Sequence, residues 1–370
     1  MTAKRVKVLF AIPRCSVGGA EKLLVRQLEA LDRVRFEPFF ITLFDEQKET
    51  LAGSARIDRC FRFRRTWDIV AFFRLVSYVR RGRFDVVVTH LFSANLLVRG
   101  AAILAGVPCI ISYEHNIYPN KRQWQIFMDK LLSKKTARII VDSNVARDFT
   151  AGQEKIPIEK FLTLHIPPLL KEKVSRPNSE LRRELGIPGS DRIVLTVSRL
   201  VEEKGHTYLV KAAQQVLQQH PHTTFLVVGW GPLQQELREE AARLRIEDRV
   251  LFPGQLDIQD VLPLADVYVD PAVSTDLPIA IMEAMREGRA IVSTNVGDIP
   301  LFVGHGVTGL IAEPRDPHGL ASHITALLAD ASRREQLGNA ARERVKKYSM
   351  PEYMKEFEAL ILELYDQRKN

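Results

Sequence analysis

A chain of 370 residues, 46% hydrophobic and 26% charged, has ordinary globular composition and enough apolar material for two cores, which excludes a disordered or collagen-like polymer. No run approaches about 18 apolar residues, and three scattered cysteines (Cys15, Cys60 and Cys109) support neither a disulfide framework nor a zinc site. The net charge of +8 admits nucleic acid, anionic lipid and phosphorylated substrates alike.

The N-terminal MTAKRVKVLFAIPRC passes from charge directly into a short apolar run broken by Lys7, without a small-residue cleavage pattern. A cytoplasmic, reduced, metal-free protein is therefore expected. Strands are predicted at residues 6–12, 39–43, 85–89, 109–112 and 138–141, with helical periodicity over 20–31, 67–81 and 95–104. The pattern pauses at Ile166-Pro167-Pro168 and a polar stretch, then restarts. Strands are predicted at 192–197, 225–228, 250–252, 267–270 and 290–293, with helices over 207–219, 233–244 and 279–287. Residues 351–366 form a last amphipathic helix, free to cap its own domain or to cross back to the first. Strand–helix alternation of this kind predicts parallel sheets covered on both faces, here as two doubly wound α/β domains.

Open α/β sheets bind ligands at the carboxyl ends of their strands, where loops run into helix amino termini. After the first strand, Gly18 and Gly19 either let backbone amides approach an anion or simply make a tight turn. After the strand at 192–197, Arg199 and Lys204 flank the start of a helix, where two cations oppose the dipole unless an anion lies between them. They read as a diphosphate clamp or as solvated surface charges. Gly229 and Gly231 repeat the strand–glycine–helix pattern. The last such loop, Asp270 to Ile279, enters a helix that is apolar except for Glu283. A carboxylate there needs partners, such as two ribose hydroxyls, unless it lies on the helix surface.

Taken in order and spacing, these motifs resemble the retaining glycosyltransferases of family 4, which have the GT-B fold of two Rossmann-like domains facing a central cleft. The resemblance rests on Gly18-Gly19-Ala20-Glu21, Ser198-Arg199-Leu200 with Lys204-Gly205, Gly229-Trp230-Gly231-Pro232, Leu277-Pro278 through Glu283-Ala284-Met285, and Asn295 through Pro300 followed by Gly306-Val307-Thr308-Gly309-Leu310. It implies an acceptor-binding domain over residues 1–168, a linker at 169–180, a nucleotide-sugar-binding domain over 181–347 and the last helix at 348–370. It implies a hexosyltransferase-type enzyme with a UDP- or GDP-sugar as substrate and no cofactor or metal, cationic side chains replacing the ion. Arg199 and Lys204 would neutralise the departing diphosphate, Glu283 would hold the ribose, and Leu277, Pro278 and Ile279 would bring amides to the phosphates or sugar. Gly18 and Gly19 would face the diphosphate, and His115 would lie beside the reacting sugar carbon; read alone, it is a surface residue after a strand.

One departure matters for chemistry. Where the family carries a first glutamate followed by glycine, eight positions before Glu283, this chain has Thr275 and Asp276. Asp276 supplies the carboxylate one residue late, Thr275 bonds the sugar neutrally, or the chain is a catalytically impaired binder of sugar nucleotides. Basic and aromatic residues cluster at 59–83 and again among Lys121, Arg122, Trp124, Phe127, Lys130, Lys134 and Lys135. They point to an anionic membrane surface at the inner face of the cytoplasmic membrane and a lipid-linked, glycolipid or saccharide acceptor, or to ordinary helices with solvated cations. A nucleic-acid-binding protein is suggested by charge alone, without a recognised motif, and no nucleic acid partner is expected.

Overall fold

β-branched runs in the sequence become parallel strands, and the segments between them wind back as helices. The structure is a computed structural model that describes residues 5–15, 18–44, 57–115, 117–168, 176–275 and 277–369. The chain divides into two units, residues 1–166 with 350–370, and residues 167–349.

The first unit runs β1 (Val6–Ile12), α1 (Gly19–Ala30), β2 (Phe36–Thr42), β3 (Arg59–Cys60), α2 (Ile69–Gly82), β4 (Val86–His90), α3 (Phe92–Ala105), β5 (Cys109–Glu114), α4 (Gln123–Ser133), β6 (Arg138–Val141), α5 (Asn144–Glu154) and β7 (Phe161–Thr163). Its sheet has the order β3-β2-β1-β4-β5-β6-β7, every pair parallel. Pro38 lies inside β2 without breaking it, because β3 pairs only with Ile41 and Thr42 and leaves the outer side of Pro38 an edge. Leu9, Ala11, Ile41 and Val87 pack with Leu75, Val79, Val98 and Ala101 of α2 and α3.

The second unit runs α6 (Asn178–Glu184), β8 (Arg192–Val197), α7 (His206–Gln219), β9 (Thr223–Val228), α8 (Gln234–Arg243), β10 (Val250–Gly254), α9 (Ile258–Val261), β11 (Val267–Asp270), α10 (Ile279–Arg286), β12 (Ala290–Thr294), α11 (Ile299–Phe302), β13 (Leu310–Ala312), α12 (Pro317–Ala329) and α13 (Ala331–Val345). Its parallel sheet has the order β10-β9-β8-β11-β12-β13. α6 begins inside the stretch expected as a linker, because Leu181 is buried with Ile187 and anchors it.

The last helix, α14 (Met350–Lys369), belongs to the first unit. Its Tyr353 hydroxyl accepts from Gln27 Nε2 of α1 at 2.6 Å and lies 3.3 Å from the Tyr113 hydroxyl, and Phe357 packs on Phe10.

Beneath the helices on the other face runs a buried ionic network. Arg99 of α3 pairs with Asp129 of α4; Lys121 pairs with Asp129 at 2.9 Å and with Glu154 of α5. Lys121 is therefore not one of the solvated cations expected from the sequence. Burial alone would pull its ammonium down, but Glu114, Asp129 and Glu154 hold it above the ordinary lysine value. Burial pushes Glu154 up to about 7, with Asp129 adding to the shift and Lys121 opposing it.

Candidate active site

In the second unit all strands are parallel, so their carboxyl ends share one edge, and three loops meet there by backbone contact. β8 leaves at Val197, and residues Glu202–Lys204 make a single tight helical turn that ends at Gly205 in the left-handed region (φ 66°). A Cβ on Gly205 would lie 2.0 Å from the Pro271 carbonyl oxygen, and Val273 and Ser274 donate their amides to the Glu203 carbonyl. A Cβ on Gly229 (φ 139°) would meet the Ser198 carbonyl at 1.9 Å, and one on Gly231 the Leu200 carbonyl at 2.3 Å. Both glycines are thus required by close packing of the loop after β9 on the loop after β8, whatever ligand they also touch.

Charge is arranged on this scaffold. Lys204 donates from Nζ to the Thr275 hydroxyl at 3.1 Å. Asp270, at the end of β11, is buried; burial raises its carboxyl, the nearby Lys204 opposes that, and Oδ1 accepts from the Ala272 amide. The buried Tyr268 hydroxyl is raised by burial and then by the charges of Asp270 and Glu283. Glu283 is half-buried in the second turn of α10, between buried Met282 and Ala284. Leu277 and Ile279 are half-buried and Pro278 is buried; among the described residues no side chain caps the amino end of α10, where the Ile279 amide donates to the Leu277 carbonyl at 3.0 Å and the amides of Ala280 and Ile281 come next. Asp276 lies outside the described residues. Arg199 is exposed and pairs with Glu203 at 3.1 Å.

The turn that carries Arg199 is held from below by His206, whose Nε2 lies 2.9 Å from the Ser198 hydroxyl and 3.2 Å from the Arg199 carbonyl. Burial lowers its imidazole to about 4, with Lys204 contributing. It is therefore neutral at physiological pH, and Nε2–H donation to the carbonyl fixes the tautomer.

In the first unit, Gly18 is the N-cap of α1 and Gly19 its first residue; the Glu21 side chain folds back over Gly18. His115 follows β5. Its ring stacks on Tyr113 with centroids 4.2 Å apart, Nε2 lies 2.9 Å from His90 Nδ1, and Nδ1 lies 3.2 Å from Asp142 Oδ2. Its side chain is only 4% exposed, so it is a member of a buried chain of polar groups and not a surface histidine. On the same carboxyl edge a cleft of about 750 Å³ is lined by Arg14, Glu21, Arg64, Arg65, Leu91 and Ser93 among others. Leu91, the N-cap of α3, has φ 67°, a conformation that costs a non-glycine residue about 1–3 kcal/mol.

Residues 17–166 match the family model described as Glycosyltransferase Family 4, and residues 177–344 match that of Glycosyl transferases group 1. The chain belongs to this glycosyltransferase family. Among curated glycosyltransferases it is 23% identical over 354 residues to the UDP-Gal:alpha-D-GlcNAc-diphosphoundecaprenol alpha-1,3-galactosyltransferase of Escherichia coli, covering 88% of each chain. It is 30% identical over 179 residues to an uncharacterised glycosyltransferase of Methanocaldococcus jannaschii, covering 47% of this chain and 46% of that one. The crystal structure of Anabaena HepE in complex with UDP superposes with a TM-score of 0.82 at 20% identity, covering 97% of this chain and 100% of that one. Each unit of this glycosyltransferase is a Rossmann-like half of the GT-B fold.

The sequence reading of the glycosyltransferase missed four polar residues: His90 ending β4, Asp142 after β6, Asp270 ending β11, and His206 opening α7. His90, Asp142 and Asp270 are polar side chains where a parallel strand ends, as is His115, which the resemblance alone singles out. His206 carried no such signal, since a histidine opening a helix is ordinary surface usage.

Proposed function

We propose that this glycosyltransferase moves a hexosyl group from a nucleoside-diphosphate sugar, UDP- or GDP-linked, to a lipid-linked, glycolipid or saccharide hydroxyl with retention at the anomeric carbon. The observation that carries the reading is the placement of Lys204 beside Asp270 at the end of β11 and Thr275 in the loop that leads to the amino end of α10. In the transfer, the bond from the anomeric carbon to the diphosphate breaks and its electron pair stays on phosphate oxygen. The acceptor hydroxyl bonds to the same face and its proton passes to the leaving diphosphate. Arg199, Lys204 and the α10 amides meet the charge that develops there, taking the part a divalent ion plays elsewhere. Glu283 holds the ribose hydroxyls, Gly18 and Gly19 approach the diphosphate, and His115 lies beside the reacting carbon. Residues 1–168 receive the acceptor and 181–347 the donor. The Escherichia coli relative, named for a UDP-Gal donor and a diphosphoundecaprenol-linked acceptor, supports the donor class and the lipid-linked acceptor of this reading.

Thermal-shift screening against UDP-, GDP-, ADP- and CMP-sugars in EDTA tests it, because a ligand bound only by the native state raises Tm. One base class should shift the protein, less so after Glu283→Ala or Arg199→Ala, and that donor should give a product whose NMR coupling shows the donor's anomeric configuration. A shift without transfer to any acceptor or to water assigns the chain to impaired binders; no shift refutes the donor site.

A further inference from the structure

Two segments of the first unit concentrate the chain's positive charge. Residues 57–83 hold eight arginines against two aspartates, and residues 121–135 five basic residues against one aspartate; their joint excess is larger than the net +8 of the whole chain. The fold lays them in one helical layer, α2 and α4 flanking α3, with the Trp67 and Trp124 rings 5.5 Å apart. Each helix already has a buried stripe: Ala71, Leu75, Val76 and Val79 in α2, Asp129, Leu132 and Ser133 in α4. A second apolar stripe faces outward. Trp67 is 72% exposed, Phe73 61% and Phe127 64%, joined by Ile69, Val70 and Leu131. Core packing does not account for these side chains, and contiguous apolar surface rimmed by charge marks an interface.

Further along α2 the outward face turns cationic. A cleft of about 480 Å³ between α2 and the first strands is lined by Lys7, Arg59, Arg74 and Arg81, with Tyr78 and Phe84 as its apolar wall. Arg59 lies over the rings of Phe61 and Tyr78, and Lys7 over Phe39. Among the described residues none of these four cations enters an ion pair. Of the acidic side chains on the two segments, Asp129 is buried in the ionic network, Asp68 caps α2 and Asp58 accepts from the Phe40 amide near Tyr78, so three carboxylates face thirteen cations and the excess stays positive. Among the described residues no helix is long and apolar enough to cross a membrane.

We propose that the outer face of α2 and α4 docks on an anionic bilayer, Trp67, Val70, Phe73, Trp124 and Phe127 entering the headgroup–acyl boundary while the cationic cleft takes a lipid phosphate. Aromatic anchors beside arginines are the signature of in-plane interfacial binding, and charge complementarity selects the anionic surface over a neutral one. The inference rests on the reading of the acceptor as membrane-borne and names the surface that would bring the enzyme to it.

The test uses the full chain with vesicles of phosphatidylcholine containing phosphatidylglycerol. Because Trp67 and Trp124 lie in the face and Trp230 in the second unit, the Trp230→Phe variant reports the face by its fluorescence. Bromine-labelled acyl chains should quench it, and sedimentation should be at least about tenfold stronger with anionic than with neutral vesicles. Phe73→Ser with Phe127→Ser should weaken vesicle binding about tenfold or more, and Arg74→Ala with Arg81→Ala should weaken it and flatten its salt dependence. Absence of quenching, or binding unchanged in the Phe73→Ser, Phe127→Ser variant, overturns the proposal. Inorganic polyphosphate that binds the chain while vesicles do not would assign the cleft to a soluble anion and likewise overturn it. Donor hydrolysis or transfer to a soluble acceptor, measured without vesicles on the Phe73→Ser, Phe127→Ser and Arg74→Ala, Arg81→Ala variants with Trp230 intact, reads the glycosyltransferase assignment separately, since those four positions lie outside the donor loops.

Discussion

The ammonium of Lys204 and the hydroxyl of Thr275 stand 3.1 Å apart across 71 residues of sequence, joining the loop after β8 to the loop after β11. Thr275 stands at the position where the resemblance leads one to expect a glutamate, and its neutral hydroxyl bonds the lysine without neutralising it. Lys204→Met should lower kcat/KM for transfer about 100- to 1000-fold, the loss typical of a single group that meets developing negative charge. Thr275→Val should cost about tenfold while Thr275→Ser stays near wild type. Steady-state kinetics with the donor found by thermal shift checks both.

His206 gives the second unit an acid sensitivity of definite sign. Its folded-state value is depressed to about 4 from 6.5, so its contribution to stability is complete above pH 6.5 and is lost as pH falls toward 4. Between about pH 7 and pH 5 the loss is about 2 kcal/mol. Denaturant unfolding of His206→Gln should show a smaller difference between those two pH values than wild type. The buried His90, depressed for the same reason, works in the same direction and remains in both proteins.

Gly229 carries both a left-sided φ and a carbonyl 1.9 Å from where a Cβ would be. Gly229→Ala should destabilise by about 2–3 kcal/mol. Gly152, in α5 with ordinary φ and open space around it, is the control: Gly152→Ala should stabilise by about 0.5–1 kcal/mol. Paired thermal melts compare the two directly.

Arg99 is 1% exposed and paired with Asp129. Arg99→Met leaves buried acid in excess and should cost about 3–5 kcal/mol, while Arg99→Met with Asp129→Leu should recover much of the loss. Urea titrations of the two variants decide it.

Asp142 bonds the Nδ1 side of His115, and His90 lies on its Nε2 side. Asp142→Asn should leave Tm within a degree or two yet lower kcat more than it raises KM, because it removes the carboxylate that orients the ring. A shift confined to Tm would show a structural role only.

The strands at Val6–Ile12, Arg138–Val141, Arg192–Val197 and Val267–Asp270 were legible residue for residue, because runs buried over most of their length stay β-branched and apolar apart from Lys7 and a few polar positions at or near their ends. α5 was not legible: it buries Ala146, Thr150, Ala151 and Glu154, small or polar residues that leave no apolar period. α4 hid for the opposite reason, carrying Trp124, Phe127 and Leu131 outward as well as Leu132 inward. At the candidate site, the order of glycines and charges after successive strands could be read directly. That Gly229 and Gly231 are demanded by neighbouring carbonyls, or that Lys121 is paired inside the first unit, depends on contacts between residues far apart in sequence.

Tyr353 and Phe357 reach the first unit's core from the far end of the chain. During synthesis the sheet from β1 to β7 therefore emerges with the part of one face beside α1 open, and about 180 residues of the second unit must follow before its missing helix exists. At ribosomal rates that interval is roughly 10 to 40 s. For that time the nascent first half is an unfinished body with Phe10 uncovered, a natural client for chaperones that hold apolar surface. Any truncation before residue 350 would make that passing state permanent.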